Sequence, residues 1–344
     1  LHALRDWPVT LFPLWSFDDS WAEVHASIPD TVEVMQGLGL AQLEGFLERR
    51  RGLYDVLWVS RPPNLQALAP LRARRPELFA GMRLIYDSEA LFALREIGEL
   101  AVKGQPLTPA QAHARLDAEL ALAEGVDQVV VVSERDARPF RARGHQTAVL
   151  SHAMSVRRSV PNPRRRAGLV FIGALHPNTP NEDGLLWFVE QVAPRLRALL
   201  PEPPTLDVVG VCRSERIAAL ASADIRLLGP QADLRPCYDR AKVFIAPVRF
   251  AGGVPVKVIE AAAQGIPVVA SAILLRQLGW QDGLEIQGAR DADGFARAIA
   301  QLLTDDALWR RQQAAAWARC EADYHPDDFA RQTRALLWRA QENA

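Results

Sequence analysis

The stretch RFAGGVPVKVIEAAAQGIPVVAS, residues 249–271, decides the fold of this chain. The apolar run Lys242 to Pro247 precedes it and is typical of a short buried strand. Gly252 and Gly253 then interrupt the apolar pattern, and Pro255 stands where a first helical residue would. A second apolar run closes the stretch. The pattern therefore predicts a strand, a glycine turn, a helix and a further strand.

The start of this predicted helix suits an anion. Two glycines ahead of a helix leave backbone N–H groups open to close approach at the positive end of the macrodipole. Arg249 lies before the turn and Lys257 in the first helical turn, so a phosphate there could also meet two side-chain cations. Glu260 stands among small and apolar residues, and ribose hydroxyls could supply the partner that its carboxylate needs.

A plainer interpretation of the same residues stays open. Glu260 lies three positions after Lys257, so the two could pair on one face of the helix. The glycines could then serve only as a turn. The stretch alone does not decide between a structural pair and a ligand site.

Composition and charge bound the class of protein. With 344 residues, of which 49% are hydrophobic, two domains are the default expectation. Forty basic and forty-one acidic residues give a net charge of −1, which argues against a nucleic-acid partner. Three cysteines without paired spacing argue against a disulfide framework and against a structural zinc site, and they favour a cytoplasmic location.

No apolar run in the sequence approaches the length of a membrane span, so we expect a protein that is at most peripheral to a membrane. Arginine clusters occur at residues 49–51 and 72–75. Such clusters usually form a solvated face. Binding to anionic lipid is the minority alternative.

Predicted strands alternate with predicted helices along the chain. We expect residues 1–154 to form a first domain, which opens inside a βα unit, so that a first strand would lie upstream of its first residue. Residues 155–167, rich in proline and arginine, are predicted to be a linker. Residues 168–344 would form a second domain that ends in helices. The alternation predicts two Rossmann-like, doubly wound α/β domains.

The second half resembles a known family. The segments FIGALHPNTPNEDGLLWFVEQVAPRLRALLP, LDVVG and GPQADLRPCYDRAKVFIAPVRFAGGVPVKVIEAAAQGIPVVAS are similar to the donor-binding domain of glycosyltransferase family 4, the glycosyl transferases group 1. The resemblance covers Gly168 to about Trp338. In the first half, YDVLWVSRPPN, RLIYDSEALFALRE and VVVVSERDARPF resemble acceptor-domain segments of that family. It implies the GT-B fold, in which two Rossmann-like domains, one for the acceptor and one for the nucleotide-sugar donor, face a central cleft.

The resemblance implies roles for particular positions. Glu260 matches the second glutamate of the family's paired-glutamate motif, whose usual partner is the ribose. Gly252, Gly253 and Val254 match the backbone segment that meets the sugar and the diphosphate. Gly173 matches the head of the glycine turn that lets the diphosphate approach.

Further donor contacts are expected in two loops. Pro230, Asp233 and Leu234 lie in the segment that matches the border of the nucleotide base. Asn181, which follows the loop after Gly173, is a candidate donor contact. Asp183 is expected to cap the next helix first and to contact the ligand second.

The sequence departs from the family pattern at two places. The first glutamate of the pair is replaced by Gly252, so its contact to the donor sugar is missing or made otherwise. The loop after Gly173 carries Ala174, Leu175 and His176 in place of the usual arginine and lysine. We therefore expect the cations at the leaving diphosphate to be Arg249 and Lys257.

On the acceptor side, Asp87 follows a predicted strand, Arg83 to Tyr86, and is the catalytic candidate. A helix cap or a structural hydrogen bond is the commoner role of such an acid. Asp291 and Asp293 form a D-x-D whose expected role is helix capping. No histidine pair has metal-ligand spacing, so no metal is expected.

These features predict a retaining, metal-independent glycosyltransferase that moves a sugar from a nucleotide-diphosphate donor to an acceptor hydroxyl without a further cofactor. The acceptor would be a glycan, a lipid-linked molecule or a small molecule, and bacterial polysaccharide or glycoconjugate synthesis is the expected setting. The missing first glutamate keeps a second hypothesis open, a non-catalytic nucleotide-sugar-binding partner subunit. A nicotinamide-dependent oxidoreductase would need a G-x-G-x-x-G after a strand, which the sequence lacks.

Overall fold

The computed structural model describes residues 1–15 and 28–338 of the chain. The described residues form twelve strands. In chain order these are β1 (Val9–Leu11), β2 (Val32–Val34), β3 (Val56–Ser60), β4 (Arg83–Asp87), β5 (Gln128–Val131), β6 (Thr147–Val149), β7 (Leu169–Ile172), β8 (Leu206–Val209), β9 (Ile225–Gly229), β10 (Val243–Ala246), β11 (Val268–Ser271) and β12 (Gln287–Ala289).

Helices connect these strands. In chain order the α-helices are α1 (Leu40–Arg49), α2 (Pro62–Arg74), α3 (Phe92–Val102), α4 (Pro109–Ala121), α5 (Glu134–Ala142), α6 (Pro180–Trp187), α7 (Ala193–Leu199), α8 (Glu215–Ala218), α9 (Arg235–Arg240), α10 (Val256–Ala263), α11 (Ala272–Leu278), α12 (Ala292–Thr304), α13 (Asp306–Tyr324) and α14 (Pro326–Trp338). Short 3₁₀ turns lie at His2–Leu4, Pro76–Leu78 and Pro163–Arg165, and a π-helical turn, Phe188–Val192, joins α6 to α7.

The described strands form three parallel sheets. One sheet has the order β3-β4-β5-β6, and β1 pairs with β2 in a separate ribbon. The largest sheet has the order β12-β11-β10-β7-β8-β9, so its strand order reverses between β7 and β10. The α/β class with parallel sheets that the sequence predicts is therefore confirmed. At such a reversal the loops that follow the two central strands diverge and leave a crevice for a ligand.

The chain divides into two compact units. The first contains the described residues of Leu1–Leu91, His113–Ser151 and Pro326–Ala344, and the second contains Phe92–Ala112 and His152–His325. Two helices thus lie in a different unit from the one that a single cut in the sequence would give them. The first unit includes α14, and the second includes α3.

Apolar contacts explain where these two helices pack. Leu337 of α14 is buried with Ile85 and Val130 of the first sheet, so this helix completes the core of the first unit. On α3, a Cβ added at Gly98 would lie 3.2 Å from the Cβ of Phe250, which shows how closely this helix packs in the second unit.

The second unit buries both faces of its six-stranded sheet. One apolar cluster contains residues of α6, α7 and α12, and the other contains residues of α9, α10, α11 and α13. The four residues of β7, and likewise those of β10, are all buried, which is why the sequence shows them as unbroken apolar runs.

The segment 155–167, predicted to be a linker, packs against the second unit. The buried Arg166 donates to the carbonyl oxygens of Pro161 and Tyr238 and lies over the ring of Trp309. Arg157 forms an ion pair with Asp239. Arginine, which favours a solvated linker in the sequence, here satisfies carbonyl groups that would otherwise lack partners.

Candidate functional site

The loops after β7 and β10 meet at the reversal of strand order in the second unit. Lys257, in the first turn of α10, donates from its ammonium to Oδ1 of Asn181, in the first turn of α6. The ammonium also lies 4.8 Å from the centre of the Phe171 ring. These contacts join two loops that are far apart in the sequence and follow neighbouring strands.

The structural pair that the sequence left open does not form. Among the described residues, no ion pair includes Lys257, whose ammonium faces Asn181 instead of Glu260. Burial is the cause that lowers the pKa of Lys257, to about 8. A partly buried ammonium without a counter-charge is stabilised by an anion that pairs with it, so this lysine is suited to a charged ligand.

The glycine turn before α10 presents free donors. Gly253 has a φ of 69°, a conformation that glycine adopts without strain. Within the described part of the chain, the backbone N–H groups of Gly252, Gly253 and Val254 donate to no protein acceptor. Successive free N–H groups of this kind form an anion-binding concavity.

The helix itself starts one residue later than the sequence predicts. Pro255 has a ψ of 81°, so it is the N-cap residue and α10 begins at Val256. Predicting Pro255 as the first helical residue was wrong, because its backbone completes the turn instead of entering the helix.

Glu260 lies one turn further along α10 and is half-buried. Burial first, and then the Glu260 carboxylate, raise the pKa of the Tyr238 hydroxyl of α9 above its ordinary value. Among the described residues Glu260 forms no ion pair.

The loop between β7 and α6 is held by a carboxylate that the sequence analysis missed. Glu182 is 4% exposed, accepts a hydrogen bond of 2.7 Å from the backbone N–H of Asn178, and accepts another from the hydroxyl of Ser214. The N-cap of α6 is Thr179, whose hydroxyl accepts from the N–H of Glu182. The run Thr-Pro-Asn-Glu that starts at Thr179 has the spacing of a capping box and was the available signal.

Asp183 is therefore not the cap of this helix, contrary to the sequence prediction. It lies inside the first turn of α6 and forms a two-point ion pair with Arg249, with 2.8 Å between Nε and Oδ2. Arg249 and Asp183 line a cavity of about 430 Å³ together with Glu99 and Lys103 of α3. Neither Asn181 nor Lys257 lines this cavity.

Gly173 directly follows β7 and allows a close approach. A Cβ at this position would lie 2.8 Å from Nδ2 of Asn181, so a larger residue would displace the amide. The glycine that the sequence assigns to the diphosphate turn thus lies directly beside the Asn181–Lys257 contact.

The segment expected at the nucleotide base follows β9. Pro230 is exposed, and Leu234 packs against the apolar cluster on one face of the sheet. Asp233 accepts from the backbone N–H of Arg235 at 2.9 Å and pairs with its guanidinium, and these hydrogen bonds lower the pKa of the Asp233 carboxyl. The acid therefore shapes the turn into α9.

In the first unit, the carboxyl ends of β3 and β4 carry a second group of polar residues. Asp87 accepts from Nε1 of Trp58 and from the backbone N–H of Glu89, each at 3.1 Å, and burial raises the pKa of its carboxyl. Arg61 and Glu89 form an ion pair of 2.7 Å, and both have a positive φ, 73° and 53°. Residues other than glycine hold such conformations at a cost, often where a site needs them.

Two features are absent from the described residues. No group of three histidine, cysteine, aspartate or glutamate side chains is placed to hold a metal ion. No helix in this part of the chain is long and apolar enough to cross a membrane. Asp291, of the D-x-D, caps α12 by accepting from the N–H of Gly294 at 2.7 Å, as predicted.

Comparison with known proteins gives a family match for part of the chain. Residues 166–305 match the family model described as glycosyl transferases group 1. This region contains β7 to β12 and thus both loops of the Lys257 site. A comparison with curated protein sequences gave no match.

Solved structures resemble the chain along nearly its whole length. Sucrose-phosphate synthase from Thermosynechococcus elongatus is 19% identical with a TM-score of 0.69, over 99% of this chain and 92% of that one. Anabaena HepE in complex with UDP and glucose is 16% identical with a TM-score of 0.68, over 97% and 93%. Trehalose 6-phosphate synthase from Burkholderia multivorans is 14% identical with a TM-score of 0.64, over 89% and 76%. These likenesses show the GT-B fold.

Proposed function

We propose that the chain is a retaining glycosyltransferase, because residues 166–305 match the model of the glycosyl transferases group 1 family. It takes a sugar from a nucleotide-diphosphate donor and transfers it to an acceptor hydroxyl. We place the donor on the second unit, at the loops after β7 and β10.

One observation carries this proposal. The Lys257 ammonium lies at the reversal of strand order and has no carboxylate partner among the described residues. Its helix, α10, follows the free backbone N–H groups of residues 252–254. A diphosphate supplies the negative charge that both features need. Glu260, one turn deeper, then accepts hydrogen bonds from the ribose, and the base lies beside residues 230–234.

The chemistry follows from these positions. The bond between the anomeric carbon and the diphosphate oxygen breaks, and its electron pair leaves with the diphosphate. The acceptor oxygen bonds to the same face of the anomeric carbon, and its proton passes to the departing phosphate. The protein therefore contributes position and positive charge, from Lys257 and the backbone amides, at the oxygen where negative charge develops. No metal is needed in this scheme, since these groups hold the leaving group.

We place the acceptor at the carboxyl ends of β3 and β4 in the first unit. The support is the strained pair Arg61 and Glu89, which presents a guanidinium and a carboxylate beside the half-buried Asp87. Both oxygens of Asp87 already accept hydrogen bonds, so its role in the proposal is to hold this edge in shape while Arg61 contacts the acceptor.

The setting of the reaction is part of the proposal. The acceptor would be a glycan, a lipid-linked molecule or a small glycoside, in bacterial polysaccharide or glycoconjugate synthesis. We propose a cytoplasmic protein that contacts a membrane at most peripherally. The structure of HepE with UDP and glucose makes UDP-glucose the first donor to test.

The test is a thermal-shift panel of UDP, GDP, ADP and dTDP sugars on the whole chain. A ligand that binds only the folded protein raises its melting temperature. We expect one donor to do so, and Glu260→Ala to abolish that shift, while Glu202→Ala, at an exposed position of the same unit, keeps it. An unchanged shift in Glu260→Ala would mean that the ribose lies elsewhere.

Transfer is then measured with the donor that binds. NMR of the product shows whether the configuration at the anomeric carbon is retained, and inversion would contradict the proposal. Binding without transfer or donor hydrolysis would instead favour the non-catalytic partner subunit.

A further inference from the structure

Two hydrogen bonds hold the side-chain amide of Asn181 in one orientation. Its Nδ2 donates to the carbonyl oxygen of Ala174 at 2.9 Å, and its Oδ1 accepts from the ammonium of Lys257. A carbonyl oxygen can only accept and an ammonium can only donate, so turning the amide over would break both contacts. The amide is therefore a fixed link between the β7 loop and α10.

Three elements hold the lysine at this link. Asn181 is in α6, Phe171 in β7 contributes the ring under the ammonium, and Lys257 itself is in α10. Gly173 leaves the space that the amide occupies. The ammonium is thus located before any ligand binds.

The charged and titratable groups around the lysine do not neutralise it. Glu260 lies on the same helix, Asp183 faces Arg249 from the other side of α6, and His176 lies in the loop after β7. Burial lowers the pKa of Lys257, and among the described residues no ion pair with its ammonium opposes that effect.

We propose that Asn181 is a positioning residue, which fixes the Lys257 ammonium through a neutral amide and so leaves its counter-charge to be supplied by the bound ligand. The inference rests on the proposed function in one respect, that the ligand is the diphosphate of the donor. An aspartate at this position would hold the lysine equally well in space but would neutralise it in advance.

A coupling between binding and protonation follows. In the free protein the ammonium loses its proton as the pH rises through about 8. A bound diphosphate favours the charged lysine and raises its pKa, so binding takes up a proton above that pH. The dissociation constant should be constant below pH 8 and then increase about tenfold per pH unit until the pKa of the complex is reached.

The lysine content of the chain makes a direct experiment possible. Lys103, Lys242 and Lys257 are the three lysines of the sequence, so protein labelled with ¹³C at the lysine ε-carbon gives three side-chain signals. The signal that Lys257→Gln removes belongs to Lys257. Its titration midpoint is measured without ligand in the wild type, in Asn181→Asp and in Asn181→Ala.

The two variants should shift the midpoint in opposite directions. Asn181→Asp adds a negative charge and should raise it by about one to three pH units. Asn181→Ala removes a hydrogen bond to the charged form and should lower it. Asn162→Asp, which adds the same charge where the amide accepts from the N–H of Arg164, should leave it unchanged. Equal midpoints in all four proteins would overturn the proposal, and a purely structural asparagine would not produce opposite shifts.

Calorimetry with UDP as the probe completes the test. We expect both Asn181 variants to bind UDP at least about tenfold more weakly at pH 7, because Asn181→Asp neutralises the ammonium in advance and Asn181→Ala leaves it without the contact that positions it. Opposite titration shifts without UDP binding to the wild type would contradict the proposed donor and leave the positioning role intact. UDP binding with unchanged midpoints would contradict the positioning role alone.

Discussion

Arg249 is held by Asp183 in a two-point ion pair, two residues along α6 from the asparagine that holds Lys257. Positions two apart on an α-helix are separated by about 200° around its axis. The ion pair and the Asn181–Lys257 contact therefore lie on opposite faces of α6. The sequence analysis expects both cations at one diphosphate. In the free protein, Arg249 instead faces Asp183 and Lys257 faces Asn181.

The first prediction separates the two cations. Lys257→Gln should weaken UDP binding by about tenfold or more, because the variant loses a charged hydrogen bond at the diphosphate. Arg249→Gln should change UDP affinity by less than about threefold and lower the free energy of unfolding by at most about 1 kcal/mol, as expected for a partly exposed ion pair. Calorimetry and denaturant titration measure these quantities. Equal losses of affinity would show that Arg249 leaves Asp183 when the donor binds.

The sequence predicts the second sheet well because its central strands are buried on both faces. Strand β7 (Leu169–Ile172) consists of four buried apolar residues, the kind of run that a sequence pattern reveals. The edge strands β2 and β12, with the sequences VEV and QGA, carry too few apolar residues for a pattern to show, and both were missed. Length and burial thus decide which strands a sequence pattern can reveal.

Local patterns predict the position of the site and not its contacts. The glycine turn, Lys257 and Glu260 stand in one stretch, so their proximity follows from helical spacing. The partner of Lys257 comes from another loop, and a pattern within the stretch equally allowed a pair with Glu260. The strand order, which sets β7 beside β10, decides this question, and strand order is a tertiary property.

The second prediction concerns the packing that positions α6. A Cβ at Gly184 would lie 2.8 Å from the carbonyl oxygen of Pro247 and 3.1 Å from the Cα of Val248. Both are backbone atoms, so Gly184→Ala must displace the helix, and we expect a loss of about 1–3 kcal/mol in stability. UDP affinity should fall as well, because the displaced helix carries Asn181. Melting temperature and calorimetry are the measurements.

Gly45→Ala is the matched control for this substitution. Gly45 also lies within a helix, α1, but its added Cβ would meet only the end of the flexible Arg49 side chain, at 3.3 Å. Alanine is favoured over glycine in a helix by about 1 kcal/mol, so this variant should be as stable as the wild type or more so. If Gly184→Ala behaves in the same way, the contact between α6 and residues 247–248 does not constrain the helix.

The last prediction concerns strain at the proposed acceptor edge. Arg61 has a φ of 73° and a ψ of 144°, a combination that glycine adopts far more readily than other residues. Its side chain is 61% exposed, and its ion pair with Glu89 contributes at most about 1 kcal/mol. Relief of a strain of about 1–3 kcal/mol should therefore make Arg61→Gly at least as stable as the wild type.

The same substitution should lower acceptor-dependent release of UDP while leaving the slow hydrolysis of the donor unchanged, because the lost guanidinium belongs to the acceptor edge. Glu89→Gln is the control, since it breaks the same ion pair without changing the backbone of residue 61 and should not raise the melting temperature. A destabilised Arg61→Gly would show that the arginine is retained for the fold. A stabilised variant with full transfer activity would contradict the proposal that the acceptor binds at this edge. A strained backbone is retained where the side chain has a function that glycine cannot supply, here the contact of Arg61 with the acceptor. Measuring stability and transfer in the same variant tests this reasoning directly.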